Sequence, residues 1–487
     1  MSSSETFYWH DYETSGADVA RDRPLQFAGI RTDREFNIIG EPLVQYCRPA
    51  SDCLPEPIAV RITGISPFRA LREGLCERDF MALIHAELSK PGTCALGYNS
   101  LRFDDEITRY ALYRNFFPPY AREWGEGRSR WDLIDVTRAV YALRPDGVQW
   151  PTKEGGVPSF KLEDLSAANA IDHGNAHDAL SDVLATIGLA RCLREAQPAL
   201  FDTLFAQRGK RAIAGLLDPA DPKPMVHVSG QFGAARSNLA IVLPLAMHPV
   251  NGNEVICADL SVVPDFLGLP VEEVRDLLFT PTAQLPEGAR RPPIKTVKLN
   301  RSPVVLPLTW VAGEPAERLA LNGDTTRAAR DAYTRARQAD PEGFTRFFQG
   351  LFAGREFEPR SNPDLQLYDG FIKRGDEGQF PAVRVATAEE LANHSWSFED
   401  KRLPELLFRY RARNFPDSLS AAERAQWQEH CEAFLLEQTH GGWQVFHKAL
   451  AQEQSLPELS SNQQEALADL GRYAGQLRKC PGLVPGP

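Results

Sequence analysis

The 487-residue sequence has no apolar run approaching the ~18 residues of a membrane-spanning helix, so no membrane partner is expected. Its first residues, Met1-Ser2-Ser3-Ser4-Glu5, lack the basic and apolar regions of a signal peptide, which points to a cytoplasmic protein. No Cys-x-x-Cys pair occurs. The eight cysteines (Cys47, Cys53, Cys76, Cys94, Cys192, Cys257, Cys431 and Cys480) are scattered, as reduced thiols are, and form neither a disulfide frame nor a zinc site. An excess of positive charge is missing as well. The formal net charge is −11, which by itself argues against a nucleic-acid binder.

That average conceals three basic stretches. Arg290, Arg291, Lys295, Lys298 and Arg301 fall in a window without acids; Arg208, Lys210 and Arg211 form a second group. Lys401, Arg402, Arg409, Arg411 and Arg413 form a third, interrupted by Glu405. Each is either a solvated face or a track for phosphates.

The most informative stretch is Phe7-Tyr8-Trp9-His10-Asp11-Tyr12-Glu13-Thr14, short and aromatic as a buried strand should be. Alternation places Phe7, Trp9, Asp11 and Glu13 on one face, with the two carboxylates about 7 Å apart at Cα. Carboxylates beside a hydrophobic strand repel and resist desolvation unless a cation lies between them. A strand end running into solvent looks the same, so distant residues must decide.

Strands are also expected over Gln26–Thr32, Phe36–Ile39, Leu43–Tyr46 and Thr93–Tyr98, with a helix over Phe80–Leu88. Asn99-Ser100-Leu101-Arg102-Phe103-Asp104-Asp105-Glu106 leads into another helix, with Asp104 at its start, where the dipole favours negative charge. Asp178 is a candidate N-cap for a helix over Ala179–Cys192 that carries Asp182 one turn in, with His177 just before it. From Pro198 the composition changes. Short strands are expected over Val226–Phe232, Leu239–Leu243, Glu254–Leu260 and Thr296–Leu306, with helices over Val271–Leu278 and Ala329–Arg337. From Asp364 onward the pattern is helical: Ala388–Asn393, Leu403–Arg411, Ala421–Glu437, Gly442–Ala451 and Asn462–Leu477.

Asp11-x-Glu13, Asp104 in Phe-Asp-Asp, and His177 with Asp182 resemble the three motifs of the DEDD exonuclease superfamily, with the histidine spacing of its DEDDh branch. The wording is closer still to the bacterial exonuclease I family of single-strand-specific 3′-to-5′ deoxyribonucleases. His10-Asp11-Tyr12-Glu13-Thr14, Asp22-Arg23-Pro24, Gly97-Tyr98-Asn99 and Ala176-His177-Asp178-Ala179 resemble it, as do Val226-His227-Val228-Ser229-Gly230-Gln231-Phe232 and Tyr410-Arg411-Ala412-Arg413-Asn414.

The resemblance implies an α/β ribonuclease H-like exonuclease domain (1–195). An SH3-like β-rich domain with helical insertions (198–353) and an all-α C-terminal domain (356–487) follow. It implies processive hydrolysis of single-stranded DNA to 5′-mononucleotides in DNA repair and recombination, by a monomer that contacts single-stranded-DNA-binding protein.

Phosphodiester hydrolysis needs an activated water, neutralised phosphate charge and a stabilised leaving oxygen. Two divalent ions roughly 4 Å apart meet all three needs. Carboxylate ligands favour magnesium, with manganese as the alternative. By resemblance Asp11 bridges the two ions, Glu13 and Asp182 complete the first, Asp104 holds the second, and His177 is the general base. Arg109, Tyr120, Trp124, Arg130 and Arg138 mix cations and aromatics as a single-strand track requires. Resemblance adds Glu13, Lys161, Asn175, Lys210, Asn253 and Lys295 to the substrate contacts. Two rivals remain: an RNA exonuclease or proofreading subunit, and a nucleic-acid-binding module with an inactive nuclease fold.

Overall fold

The computed structural model describes residues 5–174, 178–354 and 360–486. The chain divides into two compact units. The first comprises Met1–Ser129, Asp172–Ile187 and Glu358–Pro487, the second Arg130–Ile171 and Gly188–Phe357.

In the first unit, β1 (Thr6–Thr14) lies between β2 (Pro24–Thr32), antiparallel to it, and β4 (Thr93–Gly97), parallel to it; β3 (Leu43–Tyr46) continues the sheet beyond β2. A strand in this position is covered on both faces, which explains its unbroken aromatic run. Tyr8 and Tyr12 join a core with Phe27 of β2 and with Phe80, Ile84, Ile107 and Ala111 from the helices Glu77–Leu88 and Asp104–Arg114. On the other face Phe7 and Trp9 pack against Phe36, and Trp9 Nε1 donates to Thr32 Oγ1 at 2.9 Å.

The expected strand over Phe36–Ile39 does not form. Asp33 closes a turn there, accepting from the N–H groups of Glu35 at 2.9 Å and Asn37 at 2.8 Å, and Phe36 takes a φ of 64°. The hydrophobic alternation that suggested a strand instead reflects Phe36 turning inward while Ile38 and Ile39 face solvent.

Helices Leu403–Asn414, Ala421–Gln438, Trp443–Gln454 and Ser461–Lys479 complete this unit. Capping boxes at Ser420/Glu423 and Ser460/Gln463 start two of them. Their core of Trp427, Leu435, Phe446, Leu467 and Tyr473 includes Val60 and Phe68, from the short helices Pro57–Thr63 and Pro67–Glu73. Three arginines of the third basic stretch are spent inside this assembly. Arg413 spans Asp52 and Asp364, Arg409 binds Asp364 at 2.7 Å, and Arg411 pairs with Glu423. These guanidiniums are buried structural ties, neither a solvated face nor a phosphate track.

The boundary between the units falls at the start of β5 (Ser129–Asp132). The second unit contains an antiparallel sheet in the order β10-β6-β7-β8-β9: Val304–Pro307, Met225–Val228, Leu239–Met247, Glu254–Asp259 and Ile294–Lys298. One face packs on the helices Val271–Phe279, Gly323–Ala339 and Pro341–Gly350. The other packs on Lys210–Leu216 through Ile213. The single strand expected over Thr296–Leu306 is two strands, broken where Ser302 adopts a φ of 44°. The strand expected to reach Phe232 ends at Val228, because Ser229 caps a turn over Gly230–Phe232.

Candidate active site

β1 carries Asp11 and Glu13 at its C-terminal end, just before a register shift between Glu13 and Thr14. The helix Ala179–Ala196 supplies Asp182, and carboxylate oxygens of Asp11, Glu13 and Asp182 all lie within 4.8 Å of one another. Asp104 is the first residue of its helix and is buried; its Oδ1 accepts the backbone N–H of Tyr12 at 3.1 Å. Since Tyr12 lies between Asp11 and Glu13 in the strand, this bond ties the second acidic segment to the first. Thr108, one turn further along, donates to the Tyr12 hydroxyl at 3.1 Å.

Such crowding raises the carboxyl pKa values. Burial, then the charges of Asp104, Glu13 and Asp182, push Asp11 well above its usual range. Burial, then Asp182, Asp104 and Asp178, do the same to Glu13. Two carboxylates 4.8 Å apart repel by roughly 3 kcal/mol at an effective dielectric of about 20. A donor set made wholly of carboxylate oxygens fits a hard divalent cation, so these residues suit the metal that the sequence implied.

One contact was missed in the sequence. The Nε2–H of His173 donates to Asp182 Oδ1, and His173 stands nine residues before it. Its only sequence signal was its place in the histidine-rich approach to the helix. His177 and Asn175, the expected general base and a substrate contact, lie outside the described residues.

The other expected contacts have varied settings. Trp124 is 68% exposed, so it is not a core residue. Tyr120 is half-buried, and the Arg109 guanidinium lies 5.4 Å from its ring centre. Arg109 is buried: it grips Glu123 at 2.7 and 2.8 Å, Glu106 at 2.8 Å and the Tyr368 hydroxyl at 3.0 Å. Arg138, Lys161, Lys210, Asn253 and Lys295 belong to the second unit. There the Gly230–Phe232 turn gathers two of them. Arg138 lies so close to Gly230 that a Cβ would meet its guanidinium at 3.0 Å. Lys295 Nζ sits 4.4 Å from the Phe232 ring centre and 3.1 Å from His227 Nε2. Lys161 is exposed and pairs with Glu163 at 3.1 Å; Lys210, also exposed, opens its helix, and Asn253 lies in the turn before β8.

The α/β sheet and its cluster of carboxylates define a nuclease of the exonuclease class, and the exonuclease family model matches residues 8–190. The exonuclease I SH3-like domain matches residues 208–352, and the exonuclease I C-terminal domain matches 361–477. The chain is 46% identical to exodeoxyribonuclease I of Escherichia coli over 430 residues, covering 87% of this chain and 89% of that one. The zinc-ion-bound form of an E. coli exonuclease I–ssDNA complex superposes with a TM-score of 0.91 at 43% identity, covering 98% of this chain and all of the other. An SSB/exonuclease I structure in complex with the inhibitor CFAM gives 0.88 at 42% identity, with coverage of 98% and 100%. The chain belongs to the exonuclease I family.

Proposed function

We propose that this chain is a 3′-to-5′ exonuclease that hydrolyses single-stranded DNA processively to 5′-mononucleotides, as part of DNA repair and recombination. The observation that carries the reading is the meeting of Asp11, Glu13 and Asp182 at one strand end, with Asp104 tied to the same strand. The likeness to an ssDNA complex along almost the whole chain supports the substrate.

In this reading Asp11, Glu13, Asp104 and Asp182 would hold two divalent ions, magnesium or manganese, and Asp11 would contribute to both. Bound there, such ions supply Lewis-acid activation of a water and neutralise the phosphate charge. The chain's own residues do the rest. The Tyr12 N–H and the His173 imidazole fix how two of the carboxylates point. His177 takes the proton of the attacking water near neutral pH. Arg109, Tyr120, Trp124, Arg138, Lys161, Asn175, Lys210, Asn253 and Lys295 guide the strand, and Glu13 contacts its 3′ end. Arg109 does so through Tyr120, whose ring it backs.

The SSB/exonuclease I structure supports single-stranded-DNA-binding protein as a partner of this monomeric, cytoplasmic enzyme. Among the described residues no helix is long and apolar enough to cross a membrane.

The test is release of 5′-mononucleotides from labelled single-stranded DNA, compared with duplex DNA and RNA. Rapid metal-dependent release from the single-stranded DNA alone is the expected result. Preference for RNA, or no release with any divalent metal, overturns the reading.

A further inference from the structure

Lys295 and His227 stand on strands that are not neighbours in their sheet. β6, which carries His227, is second in the order, and β9, which carries Lys295, is last. Their side chains nevertheless meet, Nζ to Nε2, at 3.1 Å. Alternation explains how. His227 shares a face of its strand with Met225, and Lys295 shares one with Val297. Met225 and Val297 belong to one core, together with Val242, Val255 and Val305 of the other three strands. The sheet therefore curls, and its inner face ends in an imidazole and an ammonium.

The imidazole is buried and the lysine half-buried. Burial makes it costly to leave either ring nitrogen unbonded. An ammonium has three hydrogens to donate and nothing to accept with, so Nε2 of His227 must be the acceptor. The ring proton then sits on Nδ1, which lies 2.8 Å from the carbonyl oxygen of Val304 and donates to it. One tautomer satisfies both contacts, and it is neutral. Phe232 completes the seat. Its ring centre is 4.4 Å from Nζ, and its plane stands at 85° to the imidazole. A neutral nitrogen and a ring face each orient an ammonium without cancelling its charge.

We propose that His227 is a positioning residue for single-strand binding: its Nε2 accepts from Lys295 and holds the ammonium in place for a phosphate of the strand. A lysine left on its flexible four-carbon stem spreads its charge over many rotamers, and binding then has to overcome their entropy. The inference rests on the proposed function, in which Lys295 guides the strand, and adds His227 behind it.

The experiment measures oligo-dT affinity, with calcium replacing magnesium, for His227→Phe, His227→Gln, Lys295→Ala and the combination of His227→Phe with Lys295→Ala. Phenylalanine keeps a ring beside Phe232 but cannot accept. It should weaken binding about 2- to 12-fold, the usual worth of one hydrogen bond. Glutamine has a carbonyl to accept from Lys295 and an N–H for Val304, and should restore most of that loss. In the Lys295→Ala background His227→Phe should add no further loss, because the two residues act as a unit. Full affinity of His227→Phe beside a weakened Lys295→Ala overturns the inference. So does an equal loss in the phenylalanine and glutamine variants, or an undiminished loss in the Lys295→Ala background. Nitrogen NMR of the histidine-labelled wild-type chain gives a reading that no folding defect can disturb. The His227 Nε2 should resonate as a non-protonated nitrogen, and a protonated Nε2 overturns the inference. Equal affinity of Lys295→Ala and wild type removes Lys295 from the strand's path and overturns the inference with it. Failure of the wild type itself to bind oligo-dT overturns the proposed function on which both rest.

Discussion

The backbone N–H of Tyr12 donates to Oδ1 of Asp104 across 92 residues of chain. The bond makes Asp104 both a charge and an anchor, and substitutions separate the two. Asp104→Asn keeps an acceptor for the buried N–H but loses the charge. Cleavage should fall by more than 10²-fold while urea stability stays level. Asp104→Ala leaves the N–H unpaired and should cost about 1–3 kcal/mol as well. Single-turnover rates and urea melts of both variants check this, and equal stability of the two would show that the bond contributes nothing.

Asp11 lies at the centre of the acidic cluster. Asp11→Ala should abolish cleavage yet leave single-strand binding intact, because the proposed strand contacts are untouched. Divalent ions should raise the Tm of the wild type, by the equivalent of about 2.7 kcal/mol at a hundredfold excess over Kd, and that of the variant far less. Turnover within tenfold of wild type contradicts the assignment.

His173 holds Asp182 from behind. His173→Ala should weaken manganese binding and cleavage by roughly 10- to 100-fold, as the loss of an orienting partner does at metal sites. Calorimetric titration with manganese reads the first effect independently of the second. Unchanged manganese affinity would leave His173 a packing residue.

Burial would raise the Asp52 carboxyl, but the charges of Arg413 and Arg23 outweigh it and hold the pKa well below the usual range. Asp364 is displaced in the same direction, again with Arg413 overcoming burial. A depressed folded-state pKa gives stability that is complete above the unfolded value, about 3.9, and is lost as pH falls below it. Acid should therefore loosen this unit below about pH 4. Asp52→Asn should lower stability at pH 7 by about 3–5 kcal/mol, since Arg413 and Arg23 lose a buried partner, and should flatten the acid limb. Urea midpoints between pH 3 and 7 test both effects.

Lys295 stands against Phe232 and His227, on the turn that also meets Arg138. If it contacts a phosphate, Lys295→Ala should weaken binding of all sequences alike. The slope of log affinity against log salt should become shallower by about 0.7. Cleavage of a saturating short oligonucleotide should persist. The same slope in both proteins would assign Lys295 to packing.

Local physics made much of this protein readable in one dimension. The aromatic run ending in Asp11 and Glu13 could be placed as a buried strand because alternation and desolvation cost act within a few residues. The helices from Leu403 onward could be placed because apolar spacing is local too. What remained depended on distance in sequence. Asp33 closed a turn ahead of Phe36–Ile39, so that an isolated bridge from Ile38 to Thr32 stands where a strand was expected. Arg413 of the third basic stretch became a buried tie because Asp52, more than 350 residues away, folds against it alongside Asp364. Phe371 meets Tyr120, and Asp104 meets Tyr12, through contacts that no window of sequence contains. Composition and spacing decided which residues could do the chemistry. Tertiary packing decided which charges were neutralised internally and which rings were left facing solvent.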